Sequence, residues 1–274
     1  MDRLGIDFIT VLGMPPVEFV NLAGDLGCRY IAIAAAQIFG SPVGYPAWSL
    51  REDRALRRDM AAAMRDRGVS LSTAEGFMVR PGADIRDSAA DLDAICELGA
   101  PRINMISIDP DQTRSFDQFA ILVEMAEKRG LESTVEFAPI MMIPDLAAAC
   151  AAIRHVGRPS FRLLIDTLHV ARSGLSAKDL AALDPALIGY IQLCDAPLAF
   201  TQDSYIHEAS VERMAPGDGE LPLLDILAAL PRDLVVGLEI PMLKDAQAGV
   251  DPHRRVGRCV EAARKLLARL DRQS

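Results

Sequence analysis

One unit recurs through most of the 274 residues: a helical stretch that ends in glycine and runs straight into a short segment rich in Leu, Ile and Val. LAGDLG-CRYIAIA, MRDRG-VSLSTAEG, CELG-APRINMIS, AEKRG-LESTVEF and IRHVG-RPSFRLLID are copies of it. Gly27, Gly68, Gly99, Gly130 and Gly157 stand where a helix C-cap needs left-handed backbone. The segments behind them are mostly apolar on both faces, the pattern of parallel strands covered by helices.

Read end to end, the alternation places strands near 4–10, 29–35, 69–74, 102–107, 132–137, 161–166, 188–194 and 234–240. Helices fall near 15–26, 51–67, 84–98, 115–129, 144–156, 176–183, 221–230 and 253–271. Such an unbroken βα series is that of a parallel α/β fold, and its extent suits one closed (β/α)8 TIM barrel, a single domain over 1–274. A doubly wound sheet is the weaker alternative, because the chain has neither GxGxxG after its first strand nor a GxxxxGK[ST] loop. Two connections exceed what a barrel requires, 36–50 and 196–220, and long loops at a barrel rim often form substrate walls.

Half of the residues are hydrophobic, enough for a sizeable core. The net charge is −9 and the basic residues are interspersed with acids, which argues against nucleic acid and against an anionic membrane surface. No apolar run reaches membrane-spanning length, and the N-terminus is too acidic for a secretory signal. The five cysteines are scattered without a CxxC pair, as expected of reduced thiols in a cytoplasmic protein.

In a barrel the C-terminal strand ends carry the chemistry. The last four strands end in TVEF, LLIDTLH, YIQLCD and VGLEIP, bringing Glu136, Asp166, Gln192 and Glu239 to one level. A lone acid at a strand end is ordinarily solvated or paired with Lys or Arg. Three carboxylates at one apolar-walled mouth would repel each other, and a divalent cation removes that conflict. Glu136, Asp166, Gln192 and Glu239 are therefore the expected metal ligands.

His169 follows Asp166 by about one helical turn and can reach a ligand from the rim. His207 lies in the long 196–220 loop, as a substrate contact or an exposed loop histidine. Arg213 precedes the PGDG turn, from where its guanidinium can clamp a carboxylate, phosphate or hydroxyl-rich substrate. Asp195 reads as a support or helix-entry residue, His155 as a helix C-terminal residue and His253 as a surface residue. Trp48 is expected to pack its loop against the rim.

The order VEF…IDTLH…IQLCD…GLEIP, with R…PGDG between the last two strand ends, resembles the xylose isomerase-like TIM-barrel superfamily. The resemblance implies a metal-dependent enzyme. Glu136, Asp166 and Glu239 match the carboxylate ligands, His169 the substrate-contacting histidine of DxxH, and Arg213 the substrate-gripping arginine. Gln192 departs from the histidine of many epimerases of the family. An all-oxygen ligand set then favours Mn²⁺ or Mg²⁺ over Zn²⁺ or Co²⁺.

The expected activity is isomerisation or epimerisation of a sugar or sugar phosphate through an enediolate, with Glu136 and Glu239 as base and acid. Dehydration of a cyclic hydroxy-ketone, of the 3-dehydroshikimate or inosose dehydratase type, is the alternative. An apurinic endonuclease or a non-catalytic barrel is remote, since a multi-zinc site needs more histidines than the four present. The implied partners are a small-molecule substrate, sugar or cyclic polyol or keto acid, and further copies of the chain in a dimer or tetramer.

Overall fold

Aspartates start the long helices. Asp53 accepts from the N–H groups of Ala55 and Leu56, Asp111 from Arg114, Asp145 from Ala148 and Asp251 from His253. Each satisfies backbone donors that the first helical turn leaves unpaired. Glycines stop them: Gly68 and Gly157 take the left-handed C-cap conformation, at φ 65° and 64°, and Gly27, Gly99 and Gly130 also have positive φ. The glycine punctuation read from the sequence is therefore physically present.

The structure is a computed structural model that describes residues 3–38, 40–200 and 204–272. The strands are β1 (Leu4–Ile6), β2 (Tyr30–Ala34), β3 (Ser70–Val79), β4 (Arg102–Ser107), β5 (Glu132–Glu136), β6 (Phe161–Asp166), β7 (Ile188–Leu193) and β8 (Val236–Leu238). They pair in parallel in chain order, and β1 closes on β8. The result is a (β/α)8 TIM barrel in one domain.

The helices that cover the barrel include α1 (Pro16–Asp25), α2 (Arg54–Arg67), α3 (Ala89–Glu97), α4 (Gln112–Glu127) and α5 (Leu146–Val156). They continue as α6 (Thr167–Arg172), α7 (Ala177–Ala181), α8 (Tyr205–Val211), α9 (Leu223–Ala228), α10 (Leu243–Gln247) and α11 (Pro252–Asp271). Among the described residues, no helix is long and apolar enough to cross a membrane. The core is continuous between the barrel and its helices, with Phe19, Phe119, Phe161 and Met60 fully buried.

Three departures from the sequence reading matter for function. The first strand is expected to reach residue 10 but ends at Ile6, and a 3-10 turn over Phe8–Val11 follows. Beyond that point a side chain replaces backbone pairing: Thr10 Oγ1 donates to Leu238 O (2.6 Å) and accepts from Ile240 N–H (2.9 Å). The third strand runs to Val79 rather than 74 because its register slips between Ala74 and Phe77, with Gly76 at φ 93°. That bulge carries Glu75 and re-aims it, a common device beside functional sites. Lastly, the 196–220 connection contains α8.

Asp195 organises the turn that follows α8. Its carboxylate accepts from the N–H groups of Ala196 (2.8 Å), Gly217 (2.8 Å) and Leu221 (3.0 Å), which is the supporting role read from its position. Gly219 permits the close approach, since a Cβ there would lie 2.4 Å from Asp195 Oδ1. Replacing Asp195 by Ala strands three backbone donors, so Asp195→Ala should lower the unfolding free energy by about 2–3 kcal/mol. Urea denaturation measures this. A loss below about 0.5 kcal/mol, the range of ordinary surface changes, would show that the turn does not depend on this carboxylate.

Candidate active site

The C-terminal strand ends gather five carboxylates: Asp7 after β1, Glu75 on β3, Glu136 on β5, Asp166 on β6 and Glu239 after β8. Glu136 retains 13 % side-chain exposure and the other four are buried. Among the described residues the only guanidinium or ammonium in contact with them is that of Arg213.

Two side-chain amides tie the acids together. Asn104 Nδ2 on β4 donates to Glu75 Oε2 (3.0 Å) and Glu136 Oε2 (2.9 Å), and Thr134 Oγ1 donates to its Oδ1 (3.0 Å). Gln192 Nε2 on β7 lies 2.9 Å from Asp7 Oδ2, 3.1 Å from Glu239 Oε1 and 3.3 Å from Glu75 Oε1. An amide NH2 has two hydrogens, so three ionised acceptors around it cannot all be satisfied. The surroundings respond as that predicts. Burial raises the Asp7 carboxyl to about 7 against hydrogen bonds from Gln192 and Tyr190. Burial, then Glu136, raises Glu75 well above the usual carboxylate range. Burial likewise raises Glu239, outweighing Arg213.

Asp166 goes the other way. Against the upward pull of burial, Arg213 and His169 hold it down at about 2. Its Oδ1 accepts from Leu168 N–H (2.7 Å) as the N-cap of α6, and its Oδ2 takes Arg213 Nη1 (2.6 Å). Arg213 Nη2 lies 2.8 Å from Glu239 Oε2 and its Nε donates to Ala209 O. Arg213 is thus a buried bridge between two of the expected ligand carboxylates, not a residue poised over the mouth. Beside it, burial pushes the Cys194 thiol up to about 12, which leaves it an unreactive neutral group.

His169 is buried on α6 rather than reaching in from the rim. Its Nε2 lies 3.1 Å from Glu136 Oε1 and 3.8 Å from Asp166 Oδ2. Tyr205 OH sits 2.5 Å from its Nδ1, which leaves Nε2 as the nitrogen facing the acids. Ligand atoms of Glu136, Asp166 and His169 all come within 4.8 Å of one another. That spacing and composition suit a divalent cation. His169 lies in the cluster itself, so a cation held there would have a nitrogen donor beside the expected oxygen donors.

Gln192, expected as an oxygen ligand, spends its nitrogen on Asp7, Glu75 and Glu239, while its Oε1 is buried with no hydrogen-bond partner among the described residues. An orphaned buried oxygen is costly unless something binds it, and a cation would. His207 lies on α8 with its backbone N–H on Ser204 Oγ. No described side-chain contact brings it to the carboxylates.

Asp7, Glu75 and Asn104 were not expected from the sequence. Asp7 ends the LGID strand much as Asp166 ends LLID, a signal of the same kind. Tyr190 OH donates to Asp7 Oδ1 (2.9 Å) and shares a hydrogen bond with Ser72 Oγ (2.9 Å). Gly237 makes room for this: a Cβ there would lie 2.2 Å from Asp7 Oδ1 and 2.4 Å from Tyr190 OH.

A model for the xylose isomerase-like TIM barrel matches residues 20–265. The chain belongs to that family. Solved members of the fold overlay across nearly all of this chain. The IOLI protein with a binding zinc atom is 17% identical at a TM-score of 0.76, over 98% of this chain and 97% of that one. A xylose isomerase domain protein from Alicyclobacillus acidocaldarius is 19% identical at 0.71, over 99% and 100%. A D-allulose 3-epimerase from Methylomonas sp. is 14% identical at 0.71, over 97% and 98%. No curated protein matches the sequence.

In this xylose isomerase-like barrel, the space opposite Asp7 is a sharp constraint. Gly237→Ala should cost about 1–3 kcal/mol through overpacking. In an Asp7→Ala background the same change should cost clearly less, as a double-mutant cycle followed by thermal unfolding will show. Equal costs in both backgrounds would separate Gly237 from the Asp7 carboxyl.

Proposed function

We propose that the protein is a divalent-metal-dependent isomerase or epimerase of a sugar, sugar phosphate or related polyol-like hydroxy-ketone, acting by proton abstraction beside a carbonyl. The observation that carries this reading is the convergence of Glu136, Asp166 and His169 within ligand distance. Glu239, joined to Asp166 through Arg213, and the unpartnered Oε1 of Gln192 complete the donor set. Oxygen donors dominate and favour Mn²⁺ or Mg²⁺, while His169 Nε2 keeps Zn²⁺ in competition.

A magnitude supports the need for a cation. At 4 Å and an effective dielectric constant of about 20, two like charges repel by about 4 kcal/mol. A few such pairs would consume a typical stability of about 5–15 kcal/mol. Protons or a metal must therefore offset the cluster.

A divalent cation held there supplies Lewis-acid polarisation of a substrate carbonyl. Glu136, the most open of the acids, takes the proton from the adjacent carbon, and Glu239 returns one. Return to the opposite face gives epimerisation, and return to the neighbouring carbon gives isomerisation. Asn104 holds Glu136 at its second oxygen, leaving Oε1 toward His169. Arg213 holds the Asp166 and Glu239 carboxylates in place, Tyr205 fixes the His169 ring, and His207 is a substrate contact at the rim. Assembly into a dimer or tetramer belongs to the same proposal, and a monomer in sedimentation velocity would overturn that part.

The test is incubation with Mn²⁺ in deuterated water and a panel of ketoses and cyclic keto acids. Deuterium beside the carbonyl without loss of water is the expected result, and an alkene or aromatic product would mark a dehydratase instead. Glu136→Gln and Glu239→Gln should each lower kcat/KM by about 100-fold or more and weaken Mn²⁺ uptake. If both variants keep wild-type metal content and stability, the centre does not exist as described.

A further inference from the structure

At the same end of the barrel as the carboxylates, though walled by none of them, lies a cavity of about 340 Å³ that is almost entirely apolar, with Phe8, Ile9, Leu12, Ile33, Trp48 and Ile206 among its walls. It is built from the segments that follow β1, β2 and β7, at the same rim as the acids. Phe8 is next in sequence to Asp7, and Ile206 is next to Tyr205, whose hydroxyl rests on His169.

Two side-chain nitrogens in these walls are already engaged. Trp48 Nε1 donates to Gly13 O (3.1 Å), and Gln37 Nε2 donates to the same oxygen (3.2 Å). A bare sugar placed here would give up hydrogen bonds to water and find few in return. An apolar group gains instead by leaving water. For scale, a dry cavity of about 150 Å³ lined by Leu, Ile and Phe accepts benzene, so this one holds roughly two rings.

We propose that the substrate carries an apolar body of about two fused rings, or an equivalent branched alkyl group, that fills this cavity while its hydroxy-ketone end meets the carboxylates. This rests on the activity proposed above and narrows it from sugars at large to polyol-like ketones with a hydrophobic portion.

Trp48 is the only tryptophan in the chain and reports on the cavity. The probe is 1-decalone, a saturated two-ring ketone, titrated into the full-length protein while Trp48 emission is followed. A saturable shift is expected, and D-fructose should produce none. Ile206→Glu, at a position 60% exposed and so tolerant of charge, should weaken decalone binding at least tenfold, while Ile206→Leu should preserve it. With Mn²⁺ present, 2-hydroxy-1-decalone should bind at least tenfold more tightly than 1-decalone, since its paired oxygens reach the acidic end.

No saturable shift, the same affinity in Ile206→Glu, equal affinities for the two decalones, or an equal response to D-fructose would each overturn the proposal. Mn²⁺ content is measured separately. Decalone binding without Mn²⁺ uptake removes the proposed activity and leaves the cavity as a binding site, whereas Mn²⁺ uptake without decalone binding removes this inference alone.

Discussion

The side-chain amide of Gln192 faces Asp7, Glu75 and Glu239 together, and this crowding of acids around few donors governs the mouth of the barrel. Apolar packing holds the eight strands closed, but it also removes the water that would otherwise screen the carboxylates. Each nearby polar group can be understood as a response. Asn104 clasps Glu75 and Glu136, Tyr190 serves Asp7, and Arg213 lies between Asp166 and Glu239. Asn104, Tyr190 and Gln192 are neutral, so they order the acids without cancelling their charge.

Asp166 and Glu239 share the same arginine yet shift in opposite directions, which shows how local the electrostatics are. Asp166 also caps α6 and lies near His169, so its ionised form has several donors. Glu239 has one cation and one contested amide, too little to outweigh burial. Of two acids separated by the one strand β7, one is therefore a firmly charged anchor and the other a group that readily carries a proton. That asymmetry suits a site in which one acid holds and another exchanges.

The barrel is legible in the sequence because its periodic signals are local. Glycine caps, aspartate N-caps and apolar runs lie within a few residues of the elements they define, and β4 and β6 fall on 102–107 and 161–166 as read. Short helices such as α6, α8 and α10 span too few turns to show an apolar period. The last four strand ends were readable as a set because their polar residues interrupt apolar runs at matching places. Glu75 was not, because it depends on a bulge in β3, and a bulge arises from pairing with neighbours distant in sequence. Arg213 was readable as a residue of the mouth, but its burial between two acids depends on the path of the 196–220 connection, which no local pattern encodes.

Gly237 on β8 and Asp7 just past the neighbouring β1 lie at opposite ends of the chain, and their relation has a direction in time. While the Asp7 carboxyl is present, almost any side chain at position 237 meets it and the Tyr190 hydroxyl at once. Once that carboxyl is gone, one clash is removed and Tyr190 loses the acceptor that draws its hydroxyl there, so position 237 is freer to vary. A lineage can therefore abandon Asp7 first and Gly237 later, but scarcely in the reverse order. Among descendants of such a barrel, a side chain at 237 would record that the acid on the first strand had already been lost.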